Sequence, residues 1–288
     1  QMGKVSYSQL SMWTQCPHRW KLNYIDELRT FTANIYTLFG TSVHETIQAY
    51  LVCYYGKTIK EADSLPMYDI LQYRMETNYK DAVEDSKEDL DITLGDMKSF
   101  YKDGCDIIDE FIKHKSSYFP KKNTELVGIE IGLNEGLDKN IEFRGYMDVV
   151  IHNKTTGRIK IIDIKTSTMG WNKWMKADRN KTNQLLLYKY FFSKGREIPI
   201  DKIDIEYLIL KRKLYENFDY PQKRIQTFSP ASGKPSINKV INNLNEFLSD
   251  SFDEKGNHIN KKYRKIVTQK TCKWCEFKDL PQHCDRRQ

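Results

Sequence analysis

The sequence has no long apolar segment. Its uninterrupted apolar runs stay well below the roughly 20 residues that span a bilayer, and the polar residues 1–9 lack the apolar stretch of a signal peptide. It also has no internal repeat, no low-complexity tract and no G-x-x-x-x-G-K-[ST] phosphate-binding motif. These absences argue against a membrane-spanning protein and against an ATPase, and we expect the chain to stay in the cytoplasm.

Composition indicates a folded protein. Hydrophobic residues make up 39% of the 288 positions, and the 18 Tyr, 13 Phe and 5 Trp argue against disorder despite 30% charged residues. Because this length exceeds the usual size of one compact domain, we expect one core with added helical segments, or at most two tightly joined lobes.

The charge balance is mildly basic. Lys and Arg total 46 against 39 Asp and Glu, which gives a formal net charge of +7, so the protein should be weakly attracted to polyanions. Many soluble proteins are equally basic for solubility alone. Charge therefore leaves nucleic-acid binding open, and the motifs have to decide it.

Secondary-structure patterns divide the chain into three regions, 1–120, 121–230 and 231–288. The first is mostly helical, with Ser6 or Ser8 as the first N-cap and further helices at 43–55, 67–83 and 97–119. The second predicts strands at 125–133, 141–152, 158–165 and 203–210, a hairpin turn at 153–157 and a helix at 180–193. The third predicts one helix and a cysteine-rich end. The fold class is therefore α/β.

Two consecutive predicted strands carry acidic residues among apolar ones. Asp148 lies near the middle of the first strand, and Asp163 and Lys165 end the second. Residues two apart on a strand face the same side, so Asp163 and Lys165 project together, and a hairpin brings Asp148 close to Asp163. Two carboxylates are costly to bury without a compensating positive charge. This pattern predicts a site for a divalent cation.

Phosphodiester hydrolysis uses such a site. Mg²⁺ takes carboxylate oxygens and completes its shell with water and substrate phosphate, and the main-chain carbonyl of Ile164 is a natural further ligand. The metal activates water and neutralises phosphate oxygens, while a lysine orients the nucleophile or stabilises developing charge. The alternative is an Asp–Lys ion pair at a strand end, the commoner meaning of an isolated D-x-K.

Five motifs occur in one order along the chain and favour the catalytic interpretation. They are Ser6-Tyr-Ser-Gln-Leu10 with Cys16-Pro-His-Arg-Trp20, Gly40-Thr-Ser-Val-His44, Gly145-Tyr-Met-Asp148, Asp163-Ile-Lys165 and Gln184-Leu-Leu-Leu-Tyr188. The series resembles the RecB-like branch of the PD-(D/E)XK nuclease superfamily over nearly the whole chain. The resemblance implies a restriction-endonuclease-like core, in which helices flank a central mixed sheet.

The resemblance also implies a set of metal ligands. His44 would bind a Mg²⁺ or Mn²⁺ ion together with Asp148 and Asp163, whereas a histidine without this context is more often structural or exposed. Glu130, on the preceding strand, is the candidate for a further carboxylate. Two other acidic residues compete with it for that role, Glu125 and Glu142.

The remaining catalytic candidates lie after the second acidic strand. Gln184 and Tyr188 are one helical turn apart and share a face, so the resemblance places both in the cleft, where they contact the substrate or Lys165. The alternative is an ordinary polar and aromatic helix edge. Catalysis is accordingly assigned to five residues: Asp148, Asp163, Lys165, Gln184 and Tyr188.

The cysteines suggest a second metal centre. Cys272, Cys275 and Cys284 form C-x2-C-x8-C, and Cys16 lies far upstream. A reducing compartment disfavours disulfides, and four thiolates suit tetrahedral Zn²⁺ or an iron-sulfur cluster. One cysteine before the core and three after it resemble AddB and the CRISPR adaptation nuclease, which implies a 4Fe-4S cluster that joins the two chain ends. Zinc stays the alternative, because the last spacing is longer than in those relatives, with His18 or His283 as a replacement ligand.

Basic and aromatic residues alternate after the second acidic strand, at Trp171, Lys173, Trp174, Lys176 and Arg179. Such a segment can stack bases and neutralise the phosphates of a single strand. The alternative is a solvated loop whose tryptophans pack on the core. Lys211, Arg212 and Lys213 are a second candidate patch, and Cys53 and Cys105 are ordinary packing residues.

The leading hypothesis is a metal-dependent DNA nuclease, an exonuclease or flap-type enzyme that acts on single strands or DNA ends in recombination, repair or replication. It would be bacterial or phage-encoded, and a helicase or recombination protein would be a separate partner chain. One alternative is a non-catalytic DNA-binding module, against which the intact Asp148, Asp163 and Lys165 argue. A CRISPR adaptation nuclease is the other.

Overall fold

The computed structural model describes residues 2–28, 33–86, 90–217 and 219–285. Within these ranges the chain forms a mixed six-stranded sheet flanked by helices, which confirms the predicted α/β class. None of the helices in these ranges is long and apolar enough to cross a membrane.

The sheet is built around one long central strand, β3. The six strands are β1 (Gly3–Ser6), β2 (Thr124–Leu137), β3 (Ile141–Asn153), β4 (Arg158–Ser167), β5 (Ile203–Lys211) and β6 (Ile225–Phe228). Strand β3 pairs antiparallel with β2 and β4 and parallel with β1. Beyond β4, strand β5 adds in parallel and β6 closes the sheet antiparallel to β5.

The two edges of β3 are used differently. Strand β2 follows one edge from residue 141 to residue 153. Strands β1 and β4 must therefore share the other edge, where β1 pairs with residues 141–144 and β4 with residues 149–153. Residues 145–148 consequently have no strand partner on that edge among the described residues, and the sheet is open there.

In the described part of the chain, the sheet is surrounded by ten α-helices: α1 (Tyr7–Gln15), α2 (Pro17–Tyr24), α3 (Ile35–Gly56), α4 (Ile59–Asp63), α5 (Met67–Asp85), α6 (Leu94–Tyr118), α7 (Lys173–Ala177), α8 (Arg179–Arg196), α9 (Lys234–Ser251) and α10 (Gln269–Cys272). A 3₁₀ turn at Ile200–Lys202 leads into β5. Several helices start at side-chain caps, because the first N–H groups of a helix need acceptors. Asn34 caps α3 and Thr93 caps α6 in this way.

Two hydrophobic clusters cover the two faces of the sheet. One contains apolar side chains of α1, α2, α8 and α9, such as Leu10, Trp20 and Leu187. The other contains side chains of α3, α4, α5 and α6, such as Val43 and Ile107. The predicted helical region 1–120 is therefore divided between the two faces.

The two ends of the chain pack against each other. The fully buried indole of Trp20 lies edge-on to the rings of Phe247 and Tyr263, with centroid distances of 5.3 and 5.5 Å. Near it, Arg19 donates to the Glu276 carboxylate over 2.8 Å. Helix α2 thus holds the C-terminal segment against the core.

The differences from the predicted elements have local causes. Ser6, not Ser8, is the first N-cap, and its hydroxyl accepts from the backbone N–H of Gln9. Pro17 starts a new helix directly after Cys16, so the first helical segment consists of two helices. The four-residue strands β1 and β6 were not predicted, because strands this short leave little periodicity to detect.

Candidate active site

The open stretch of β3 places one carboxylate in the gap between β1 and β4. Asp148 is the last residue before the β3–β4 ladder begins at Val149, which pairs with Ile162. Its Oδ2 accepts a 2.7 Å hydrogen bond from the backbone N–H of Ile164. The N–H and C=O of one strand residue point to the same edge. The carbonyl of Ile164 therefore faces the same gap.

Side-chain alternation changes at this point of the sheet. Met147 packs in the cluster with α8, whereas Val149, two residues later, packs in the cluster with α3. On the neighbouring strand, Glu130 adopts a left-handed backbone with φ of 47°. A non-glycine residue in this region costs on the order of 1–3 kcal/mol and is held there by its surroundings. The irregularity brings the carboxylates of Glu130 and Asp148 to one place.

Helix α3 supplies a histidine to the same place. His44 Nε2 lies 3.1 Å from Glu130 Oε1 and 3.8 Å from Asp148 Oδ2. In the described part of the chain these three residues are the one group of three or more His, Cys, Asp or Glu side chains whose ligand atoms all lie within 4.8 Å of one another. His44, Glu130 and Asp148 thus form a compact donor set.

Asp163 and Lys165 project together from β4, as their spacing predicts. Lys165 Nζ lies 2.8 Å from Asp163 Oδ2, and Asp163 is only 1% exposed. Lys165 also donates to Gln184 Oε1 over 3.2 Å, and Gln184 Nε2 donates to the Tyr188 hydroxyl over 3.0 Å. Helix α8 therefore supports the lysine from the side opposite to α3.

The close carboxylates affect each other's ionisation. Burial and the nearby Asp163 carboxylate raise the pKa of Asp148 from 3.8 to about 7. Burial acts to lower the pKa of His44, but its hydrogen bond with Glu130 and the charge of Asp148 raise it above 6.5. Burial likewise opposes the charge of Lys165, yet Asp163 and Asp148 raise its pKa above 10.5. Negative charge thus dominates the site and attracts cations.

A hard divalent cation fits this donor set. Ligands at right angles around an ion with bonds of 2.0–2.1 Å lie about 3 Å apart, which matches the 3.1 Å between His44 Nε2 and Glu130 Oε1. In addition, Asp163 Oδ2 is buried and has no hydrogen bond of good geometry among the described residues, apart from its ion pair with Lys165. Asp163 is not a member of the compact donor set, so the structure does not bring its carboxylate within 4.8 Å of all three of those ligand atoms.

Sequence reasoning missed the residues that hold these groups in place. Gln48 is buried one turn after His44, and its side chain contacts His44, Glu130 and the backbone of Asp148. Only its i+4 spacing from His44 could have pointed to it. Two tyrosines, Tyr7 and Tyr207, donate to backbone carbonyls in the first turn of α8 and fix that helix.

The motif glycines are explained by close approach. A Cβ on Gly145 would lie 2.7 Å from Cε1 of Tyr188, so only glycine leaves room for this ring beside the open stretch of β3. A Cβ on Gly40 would lie 2.9 Å from the Thr166 hydroxyl oxygen. These two positions let α8 and α3 come close to the sheet.

The predicted nucleic-acid segment is split between the core and the surface. Trp171 is buried against Tyr207, with ring centroids 5.0 Å apart, so the prediction that it stacks on bases is corrected. Trp174, in contrast, is 72% exposed. Lys173 and Arg179 are exposed as well, and Lys176 is partly exposed. In the second patch, Arg212 and Lys213 form ion pairs with Asp103.

The cysteine-bearing segments are neighbours, although their sulfur atoms are not closely packed. Cys16 directly precedes α2, and His18 Nε2 in that helix lies 3.0 Å from the backbone oxygen of His283. Tetrahedral zinc, with Zn–S bonds near 2.3 Å, holds its sulfur atoms roughly 3.8 Å apart. In the described residues, no three cysteine sulfurs lie within 4.8 Å of one another. The spacing is wider than bound zinc requires.

Comparison with known proteins identifies the family. The chain belongs to the PD-(D/E)XK nuclease superfamily, whose family model matches residues 4–280. A solved structure from Eubacterium rectale, provisionally named an exonuclease, is similar to this chain with a TM-score of 0.52. The two are 12% identical, and the match covers 96% of this chain and 86% of that chain. No curated protein matches.

The raised pKa of Asp148 predicts how metal-free stability depends on pH. The folded state holds this proton more tightly than the unfolded state does, so stability should fall as pH rises from about 4 to about 7, on the order of 1 kcal/mol per unit. His44, whose pKa is also raised, acts in the same direction. Mg²⁺ should restore stability above pH 7, where Asp148 is ionised. Thermal unfolding with EDTA or Mg²⁺ checks this, and an Asp148→Asn variant with unchanged pH and Mg²⁺ dependence would contradict it.

Proposed function

We propose that this protein is a metal-dependent DNA nuclease that hydrolyses phosphodiester bonds as an exonuclease, acting on single strands or DNA ends. The carrying observation is the compact donor set of His44, Glu130 and Asp148 at the open edge of β3, next to the strand that carries the Asp163–Lys165 ion pair. Superfamily membership over residues 4–280 supports the reaction class. The exonuclease mode rests on the provisional name of the Eubacterium rectale structure.

The proposed cation ligands combine members of the compact donor set with groups on the neighbouring strand β4. His44, Asp148, Asp163 and the carbonyl of Ile164 are the proposed ligands of Mg²⁺ or Mn²⁺, and Glu130 is a further carboxylate within reach of His44. When bound, such a cation lowers the pKa of water and neutralises charge on the phosphate.

The other catalytic residues act on the phosphate and the nucleophile. The Lys165 ammonium, fixed by Asp163 and Gln184, presents a positive charge where negative charge develops on the phosphate. Because Gln184 Nε2 donates to the Tyr188 oxygen, the Tyr188 hydroxyl hydrogen is available for a phosphate oxygen. The tyrosine thereby assists in orienting the scissile bond.

Substrate contacts are proposed on α7 and the start of α8. The exposed indole of Trp174 offers a stacking face, and Lys173, Lys176 and Arg179 supply positive charge for phosphates. This segment comes after β4 in the chain, and a bound strand is proposed to run from it toward Lys165.

The pathway is proposed on more general grounds. A nuclease for strands or ends suits recombination, repair or replication in a bacterial or phage-infected cytoplasm. A helicase or recombination protein is proposed as a partner that would supply separated strands.

The nuclease proposal predicts metal-dependent cleavage that requires Lys165. End-labelled single-stranded and duplex DNA should be cut with Mg²⁺ or Mn²⁺ and not with EDTA. Lys165→Ala should slow cleavage by about 10²-fold or more, because one transition-state charge contact is lost. Lys160→Ala is the matched control, since Lys160 lies on the same strand and pairs with Glu206 at 3.3 Å. Wild-type rates in Lys165→Ala would reject the assignment, and DNA binding without cleavage would favour a binding module.

The proposed stacking face predicts an effect on binding alone. Trp174→Ala should weaken the binding of a single-stranded oligonucleotide about tenfold, since one stacked base contributes roughly 1–3 kcal/mol. Fluorescence anisotropy in EDTA measures this without cleavage. Tyr73→Ala is the control, because Tyr73 on α5 is also strongly exposed, at 63%. Equal affinities of both variants would show that Trp174 does not touch DNA.

A 4Fe-4S cluster is proposed as the second cofactor, held by Cys16, Cys272, Cys275 and Cys284. Its support is that α2 and the C-terminal segment already contact each other, through His18 and His283 and through Arg19 and Glu276. The choice of the cluster over zinc rests on the resemblance of the cysteine arrangement to AddB and the CRISPR adaptation nuclease. In this position it joins the chain ends and has no part in hydrolysis.

The cluster predicts a stability defect when one ligand is removed. Cys275→Ser should lose iron, sulfide and visible absorbance and should unfold at lower temperature or become insoluble. Cys53→Ser is the control, because Cys53 lies in α3, away from these segments. Anaerobically purified protein that contains zinc but no iron, or a fully stable Cys275→Ser variant, would contradict the proposal.

A further inference from the structure

Gln48 contacts three residues of the proposed metal site. Its side chain is buried, with 3% exposure. Its Nε2 donates to Glu130 Oε1 over 2.7 Å and to the backbone oxygen of Asp148 over 3.0 Å, and it lies 2.6 Å from His44 Nε2. All three partners belong to the region where the cation would bind.

We propose that Gln48 is a positioning residue that holds the Glu130 carboxylate beside His44. Glu130 is thereby placed as a third carboxylate at the bound cation, in addition to Asp148 and Asp163. This inference rests on the proposed function, because it assumes that the cation occupies this site. It concerns the affinity for the metal and not the cleavage step.

The orientation of the Gln48 amide follows from its neighbours. Glu130 Oε1 and the Asp148 carbonyl are both acceptors, so the NH₂ end must face them. An NH₂ group has two hydrogens, and Glu130 and Asp148 supply an acceptor for each of them. The His44 nitrogen is therefore not needed as a partner of the amide, although it lies 2.6 Å away.

Glu130 needs such a tether. Its side chain is 49% exposed, so a free carboxylate would gain both water and rotamer freedom by turning outward. Its backbone is also held in the left-handed region, with φ of 47°. Gln48 and His44 are its two side-chain partners among the described residues. Without the amide, only the contact with His44 keeps this carboxylate at the site.

The helix makes Gln48 suited to this role. It follows His44 by four residues on α3, so both side chains lie on one face and reach the same point of β3. The hydrogen bond to the Asp148 carbonyl also fixes the height of the amide relative to the open stretch of β3. One helix face thus supplies a metal ligand together with the group that positions a second ligand.

A double-mutant cycle in metal affinity tests the inference. Mn²⁺ binding to the full chain without DNA is measured by isothermal titration calorimetry for wild type, Gln48→Met, Glu130→Gln and the double variant. Gln48→Met should weaken Mn²⁺ binding about tenfold, as removal of a ligand's hydrogen-bond partner typically does. In the Glu130→Gln background, the same substitution should have almost no effect, because the carboxylate that Gln48 positions is gone.

A control substitution is available on the same helix. Thr46→Val is a buried substitution on the same helix and should leave Mn²⁺ affinity unchanged, because the Thr46 hydroxyl donates to the Ser42 backbone oxygen and, among the described contacts, to no group of the metal site. If Gln48→Met does not fold, Gln48→Leu replaces it in the cycle. Equal losses in both backgrounds, no loss in either, or a wild-type protein that binds no Mn²⁺ would overturn the inference. A coupled pair in a protein that does not cut DNA would support the inference and reject the proposed function.

Discussion

The candidate active site depends on how the two edges of strand β3 are divided among its partner strands. Strand β3 has a full-length partner on one edge, but β1 and β4 divide the other edge and leave residues 145–148 without a described strand partner on that second edge. If the hydrogen-bond ladder continued through this point, a neighbouring strand would occupy the edge of β3 beside Asp148. The gap instead lets Asp148, the backbone of Ile164 and the ring of Tyr188 meet at the sheet edge.

Like-charged side chains lie close together at this gap. Asp148 and Asp163 come from adjacent strands, and burial with mutual repulsion raises the pKa of Asp148 to about 7. Lys165 compensates part of this charge, and His44 approaches from the opposite layer. The remaining negative charge is what a divalent cation would neutralise, so the unfavourable electrostatics of the metal-free protein and the proposed chemistry have one origin.

Much of this arrangement could be predicted from the sequence, because its signals are local. The strand pattern around Asp148 and Asp163, the hairpin turn and the family motifs all lie within short segments. Other features depend on contacts between distant segments. Strand β1 pairs with β3 across more than a hundred residues, and the left-handed backbone of Glu130 has no signal in residue type. The same holds for Trp171, whose burial depends on Tyr207 and Phe228.

The central claim is that a divalent cation binds where the two acidic strands meet. A crystal structure of Lys165→Ala with Mn²⁺ and a single-stranded oligonucleotide tests it directly through the anomalous signal of manganese. The account predicts a peak in contact with His44 Nε2, the carboxylates of Asp148 and Asp163 and the carbonyl of Ile164, with a phosphate oxygen beside it. A peak elsewhere, or none at saturating Mn²⁺, would contradict the account.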